Sequence, residues 1–242
     1  SEEEEINIGD RANEDVRVVA SDLRAKVIAE GGNRGITESA RIEYAKIGGH
    51  INIDSIDNSG GVDISDREVQ TKILFRNALQ KGKISREERD QLLFSLTEQS
   101  RDLVLERTYL QTQAISLAVL GAKNHPEEYI NLAKKLKELG IFSTSQKNDD
   151  ILTLTRPEIS VLIAAVRRFI RKALKSSKLL NDPYSKEFLL SYFPEKLRKD
   201  FKEEILAHPI GEEIIASKIT NLIVENFGVI SVYRTKEETG KS

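Results

Sequence analysis

Two short segments carry residue types that bind small molecules through backbone and amide groups. The first is Glu30-Gly31-Gly32-Asn33-Arg34-Gly35. Glycines let a backbone approach a ligand closely, and a helix N-terminus downstream favours negative charge. The glycines do not form GxGxxG, because Glu30 stands at the first glycine position. Spacing alone therefore reads as a tight turn between strand and helix. The second segment is Asp57-Asn58-Ser59-Gly60-Gly61-Val62-Asp63-Ile64-Ser65. Its Asn58 can hydrogen-bond a carboxamide, and its Ser65 hydroxyl can hold a carboxylate beside a helix start. Ser65 has a competing structural role as the N-cap of Ser65-Asp66-Arg67-Glu68, a capping box whose loss would cost about 1 kcal/mol. Both roles can coexist, since a hydroxyl donates to a ligand while accepting from backbone.

Other candidates are weaker. His50, His125 and His208 are far apart and lack metal-ligand spacing. No GxSxG elbow supports a serine nucleophile, and the carboxylates are too scattered to nominate an acid/base pair. Arg167-Arg168 and Arg171-Lys172 share a helix with Phe169 and Ile170 and read as a solvated face.

The elements that must position the two segments change character along the chain. Arg17-Val18-Val19 and Lys26-Val27-Ile28-Ala29 read as strands, and Ile51-Asn52-Ile53-Asp54-Ser55-Ile56 alternates as a strand should. Between the last two lies a helix with Thr37 as N-cap and Gly48-Gly49 as its stop. Strand, loop, helix, strand is a βαβ unit with parallel strands, too small to form a sheet domain without something upstream. Both candidate segments would then sit on one edge of the sheet, at the carboxyl ends of its strands.

From Ser65 onward the pattern is helical. The Ser65 box leads to a stop near Gly82. Ser85-Arg86-Glu87-Glu88 opens a long amphipathic stretch to about Leu120, and Pro126 starts a helix that Gly140 ends. Residues 143–150 read as an exposed loop. Thr155-Arg156-Pro157-Glu158 is a third capping box, leading into 159–174. Asn181-Asp182-Pro183 and Phe193-Pro194 punctuate shorter helices, and Gly211 precedes a helix to about Asn226. Val229–Tyr233 reads as a terminal strand or buried extended tail.

Composition limits the function classes. The chain has 242 residues, with 37 Lys+Arg against 39 Asp+Glu, and a formal charge of −2. That gives no basic field for nucleic acid. With no cysteine, there is no disulfide framework, thiolate zinc site or cysteine nucleophile. No apolar run approaches the roughly 18 residues of a membrane helix. The acidic start Ser1–Glu5 is the opposite of a signal peptide, and the absence of an initiator methionine fits a piece of something larger.

At the two segments the sequence resembles a known family. Glu30–Thr37 resembles the EGAN-x-P-x-T segment of amino-acid dehydrogenases, and Asn58–Ser65 their NAGGV-x-x-S segment. The wider stretches resemble one branch, the large bacterial NAD-specific glutamate dehydrogenases. They include Lys26–Asn33, Ile56–Asp63, Tyr109-Leu110-Gln111-Thr112, Leu154–Glu158, Tyr192-Phe193-Pro194 and Glu237-Glu238-Thr239-Gly240. The similarity runs from about Gly9 to Gly240 in the family's order.

The resemblance implies a C-terminal segment of such an oxidoreductase of amino-acid metabolism. Residues 1–82 would be the βαβ end of a Rossmann-like NAD domain, an α/β remnant, and 83–242 a mainly α-helical C-terminal domain. Gly31, Gly32, Asn33 and Asn58 would lie against NAD, and Val62 and Ser65 would meet the substrate, the Ser65 hydroxyl binding its distal carboxylate. The family reaction oxidises glutamate to 2-oxoglutarate and ammonia with NAD as hydride acceptor. Its catalytic Lys and Asp and its glycine-rich fingerprint lie upstream and have no counterpart here, so the segment alone is expected to be inactive. The implied partner is the upstream part of the same enzyme, a cytoplasmic homo-oligomer at full length, with neither nucleic acid nor membrane. Arg34, where this branch commonly has Leu, and His50, where Arg is usual, depart from the pattern. A second reading of another class is a non-catalytic remnant, persisting as a helical interaction module or associating with an upstream polypeptide.

Overall fold

A computed structural model of the chain describes residues 18–32, 35–143 and 153–240. Helices dominate it, with one small parallel sheet near the start. The chain divides into two compact units, 1–58 with 115–164 and 59–114 with 165–242.

The first unit contains the expected βαβ arrangement. Strands β1 (Val27–Ile28) and β2 (His50–Ile51) pair in parallel, Val27 opposite His50 and Ile28 opposite Ile51. Helix α1 (Glu38–Lys46) connects them. Its start and stop follow the sequence signals: the Thr37 hydroxyl accepts from Ala40 N at 3.3 Å, and Gly48 leaves the helix at φ +94°. Gly49 answers a packing need, since a Cβ there would lie 2.3 Å from the Tyr44 ring. Tyr44 closes the core of this unit with Ala20 and Ile51, and its hydroxyl donates to the Ala25 carbonyl.

Other expectations for this region are corrected. Arg17 lies outside the described residues, while Val18 and Val19 are exposed and precede a short 3-10 turn, Ala20–Asp22. The strand expected at 51–56 ends at Ile51, and Asp54–Asp57 form a one-turn helix, α2. Ile51, Ile53 and Ile56 are all buried, so the apolar spacing changes from two to three where the backbone turns helical.

The segment read as a second loop is mostly helix. Helix α3 (Ser59–Gln80) takes in Gly60, Gly61, Val62 and Ser65. Ser65 is therefore no N-cap; its hydroxyl donates to the Val62 carbonyl at 2.9 Å, inside the helix. Two glycines disfavour a helix by about 1 kcal/mol each. At Gly60 the packing does not demand glycine, because a Cβ would make an ordinary contact 3.5 Å from Thr108 Oγ1.

The stretch expected to be continuous from 86 to 120 breaks at Leu96 into α4 (Arg86–Ser95) and α5 (Thr97–Asn124). The Ser95 hydroxyl donates to the Leu92 carbonyl at the break, a side-chain bond that competes with the backbone ladder. Both arms of the Ser85 capping box are present, Glu88 N to Ser85 Oγ and Ser85 N to Glu88 Oε2. Helix α6 (Pro126–Glu138) starts at its proline, and Gly140 beyond it has φ +67°. Helix α7 (Arg156–Lys175) carries in its first turn a buried Glu158 that accepts from the backbone and hydroxyl of both Thr153 and Thr155. The loop expected at 143–150 lies outside the described residues beyond Ser143.

The second unit completes its core with α8 (Ser185–Tyr192), α9 (Glu195–Asp200), α10 (Lys202–Leu206) and α11 (Gly211–Phe227), followed by α12 (Ser231–Thr239), which buries no residue. Leu74 and Phe75 of α3 are fully buried, and the Phe75 ring meets Phe201 edge-on at 5.4 Å. The terminal strand expected at 229–233 is absent. Gly228 turns the chain at φ +84°, Val229 and Ile230 bury their side chains, and helix resumes at Ser231. Arg168, Arg171 and Lys172 are exposed as expected, whereas the Arg167 side chain is 12% exposed and ion-paired.

Candidate functional site

The site in the first unit is built around Glu30, the residue that spoils the glycine fingerprint. Its carboxylate accepts from Gly35 N at 2.5 Å and pairs with Arg41, so the side chain closes the loop that contains Gly31 and Gly32. Arg41 is 2% exposed and is held by the Ile36 carbonyl at 3.2 Å and the Asn52 carbonyl at 2.8 Å. The loop's negative charge is thereby compensated by a buried guanidinium.

The backbone of Glu30 links this loop to the second segment. Glu30 N donates to Asp57 Oδ2 at 2.9 Å, across 27 residues. Asp57 Oδ1 accepts from Asn52 Nδ2 at 2.7 Å, and Asn52 Oδ1 accepts from Arg156 Nε at 2.6 Å. Arg156 also donates to Ser116 Oγ at 3.0 Å. Burial lowers the Arg156 guanidinium below its ordinary value, and the Asp57 carboxylate opposes that shift. The chain Gly35–Glu30–Asp57–Asn52–Arg156 therefore fixes the turn after β1 against the turn after β2.

Of the residues predicted to bind, Gly31 and Gly32 are exposed, and a Cβ at either would meet nothing within 4 Å. Neither has a positive φ, so the chain's own packing and backbone do not demand glycine there. Asn33 and Arg34 lie outside the described residues. Asn58 caps the C-terminus of α2, next to the pinned Asp57, and is half-buried. Val62 and Ser65 belong to the second unit, where both are exposed on α3. The exposed backbone of Gly31 and Gly32 and the amide of Asn58 are hydrogen-bonding groups that a ligand could use. Among the described residues no group of three or more His, Asp or Glu side chains is arranged to hold a metal.

Sequence reading missed Glu30, Arg41, Asn52, Asp57 and Arg156 as a set. Local spacing contains no signal for them, because the bonds join residues 5 to 104 positions apart. The one available hint was polar: Asn52 interrupts an apolar run on a strand edge.

A parallel strand pair whose following turns are locked together, attached to a helical bulk, defines the class as α/β at one end and helical elsewhere. Residues 1–118 match the family described as bacterial NAD-glutamate dehydrogenase, catalytic domain, and residues 152–242 match glutamate dehydrogenase, C-terminal. The chain belongs to the bacterial NAD-specific glutamate dehydrogenase family and covers a C-terminal part of it, as the resemblance implied. It is 38% identical to the NAD-specific glutamate dehydrogenase of Pseudomonas aeruginosa over 100% of its length. The identity is 34% over 99% with the same-named enzyme of Halomonas elongata, and 33% over 98% with that of Mycobacterium tuberculosis. The chain spans 16%, 16% and 15% of the lengths of these relatives.

Proposed function

We propose that the chain supplies one edge of the cofactor site and part of the substrate site of an NAD-dependent glutamate dehydrogenase. Residues 1–82 are read as the end of the dinucleotide-binding sequence and 83–242 as the helical sequence that follows it, neither being a separately folding body. The observation that carries the reading is identity over the whole chain to relatives named as NAD-specific glutamate dehydrogenases.

The residues have distinct tasks in this reading. Gly31 and Gly32 give the cofactor an unobstructed backbone, with Asn33 beside it. Asn58 offers an amide to the carboxamide of the nicotinamide. When bound, NAD supplies the hydride acceptor for oxidation of glutamate to 2-oxoglutarate and ammonia. Val62 presents an exposed apolar side chain to the substrate methylenes. The Ser65 proton, now directed at the Val62 carbonyl, turns to the distal carboxylate, exchanging a neutral hydrogen bond for a charge-assisted one.

Glutamate-dependent NADH formation is the test. The full-length polypeptide is expected to show it and residues 1–242 alone are expected not to. A full-length polypeptide without that activity, or turnover by 1–242 alone, contradicts the reading.

A further inference from the structure

The second unit buries more positive than negative charge at one place. Arg67 of α3, Arg107 of α5, Arg167 of α7 and Lys218 of α11 converge there, facing the carboxylates of Asp63 and Glu225. Arg67 Nε is 3.2 Å from Asp63 Oδ1. Arg107 and Arg167 both reach the same oxygen of Glu225, the Arg167 arm at 3.5 Å. Arg167 also donates to Gln111 Oε1 at 3.3 Å, and Gln111 in turn to Ser59 Oγ at 3.0 Å. Asp66, bonded to the Tyr192 hydroxyl beneath Arg67, adds a third carboxylate, so four cations leave one positive charge in excess. The flanking charges do not remove it, because Glu106 and Arg171 are both exposed and opposite in sign.

A closed structural network would match donors with acceptors, and this one does not. Arg67 Nε and Arg107 Nη1 are held by Asp63 and Glu225, whereas Arg167 Nε is buried without an acceptor among the described residues. Asp63 Oδ2 is likewise without a donor. The Arg67, Arg167 and Glu225 side chains are 8%, 12% and 7% exposed, so water screens the excess poorly. Burial and neighbouring cations push Arg167 down to about 9, and burial with the Arg67 charge pushes Arg107 down to about 10 against the pull of Asp63. Burial, Arg67 and Arg107 also lower Lys218. Arg107 and Asp63 are each 22% exposed, so the cluster is reachable from solvent.

We propose that this cluster binds a small oxyanion, a carboxylate or phosphate group seated between the guanidinium forks of Arg67, Arg107 and Arg167. Guanidinium groups pair with both chemistries through two parallel hydrogen bonds. The ligand supplies the acceptor that Arg167 Nε lacks and offsets the excess charge. The site is separate from Val62 and Ser65: at about 100° per residue, Asp63 and Arg67 share one flank of α3 and Val62 and Ser65 another. It does not rest on the dehydrogenase reading.

Calorimetric titration of inorganic phosphate, and separately of malonate, into the full-length polypeptide at constant ionic strength tests it. Saturable binding of phosphate alone identifies a phosphate ligand, and binding of malonate a carboxylate. Arg167→Gln is expected to weaken that binding at least tenfold, about 1.4 kcal/mol. Lys218→Gln, at a less buried position, serves as the second variant should Arg167→Gln fail to fold. Weakening by either substitution supports the site. No saturable binding, or binding unchanged by both, overturns it. Because NADH formation is not the readout, an active enzyme that binds neither probe refutes the anion site alone.

Discussion

At the scale of single residues, Ser65 separates structure from function most cleanly. As an N-cap its loss would cost about 1 kcal/mol, but it lies inside α3, exposed, with its hydroxyl on the Val62 carbonyl. Ser65→Ala should therefore change stability by less than about 0.5 kcal/mol, by urea denaturation. If the hydroxyl holds the substrate carboxylate, the same change removes a charge-assisted bond of about 1.5–3 kcal/mol and raises the glutamate KM of the full-length polypeptide by roughly 10- to 150-fold. A stability loss near 1 kcal/mol with unchanged KM would return Ser65 to a structural role. Asp57 should behave in the opposite way. Its two oxygens accept from Glu30 N and Asn52 Nδ2, so in Asp57→Asn one of those donors faces another donor. The expected cost is about 1–3 kcal/mol in the denaturation midpoint, with weaker NAD binding as the Gly31 turn loosens. Ser65 was legible as a ligand-type residue but its position in the helix was not, because S-x-x-E spacing recurs inside helices as well as at their starts. Asp57 was invisible as a partner of Glu30, since nothing local links residues 27 apart.

Between elements, His208 shows how packing creates a property that a sequence lacks. It stands between α10 and α11, and its ring reaches α3: Nε2 lies 3.2 Å from the Gln70 carbonyl, and Nδ1 3.4 Å from Ile210 N. Those partners define a neutral ring, donating at Nε2 and accepting at Nδ1; a proton on Nδ1 would confront the Ile210 N–H. Burial lowers the imidazole below its ordinary 6.5, with the Gln70 carbonyl and Asp66 opposing the shift. The unfolded chain thus binds that proton more tightly than the folded one. The contribution is intact above the unfolded value and is lost as pH falls through 6.5 toward the folded value. Urea midpoints measured from about pH 8 to pH 5 should fall less steeply in His208→Gln than in the parent; parallel curves would remove His208 as the cause. Helix starts and stops at Thr37, Ser85, Pro126, Gly82 and Gly140 were legible, because capping chemistry is local. The strands expected at 51–56 and 229–233 give way to helix because short β-branched runs carry no period that excludes one.

On the scale of the molecule, chain order and compactness do not coincide. Each unit is assembled from two separate stretches, 1–58 with 115–164 and 59–114 with 165–242. A cut after residue 82, where texture changes from glycine-rich to helical, leaves neither unit whole. It removes α3 from the second unit, and with it Leu74, Phe75 and Ala78, all 0% exposed. Phe201 then loses the Phe75 ring at 5.4 Å, and His208 loses its Gln70 carbonyl. It also removes β1, α1 and β2 from the first unit, leaving Arg156 without its Asn52 partner. Deleting even one buried aromatic side chain costs about 3–5 kcal/mol, a large share of the roughly 5–15 kcal/mol that holds a domain folded. Residues 83–242 expressed alone should therefore show no cooperative unfolding transition by circular dichroism, under conditions where the full-length polypeptide shows one. A sharp transition in 83–242 would mean that the helical part carries a self-sufficient core.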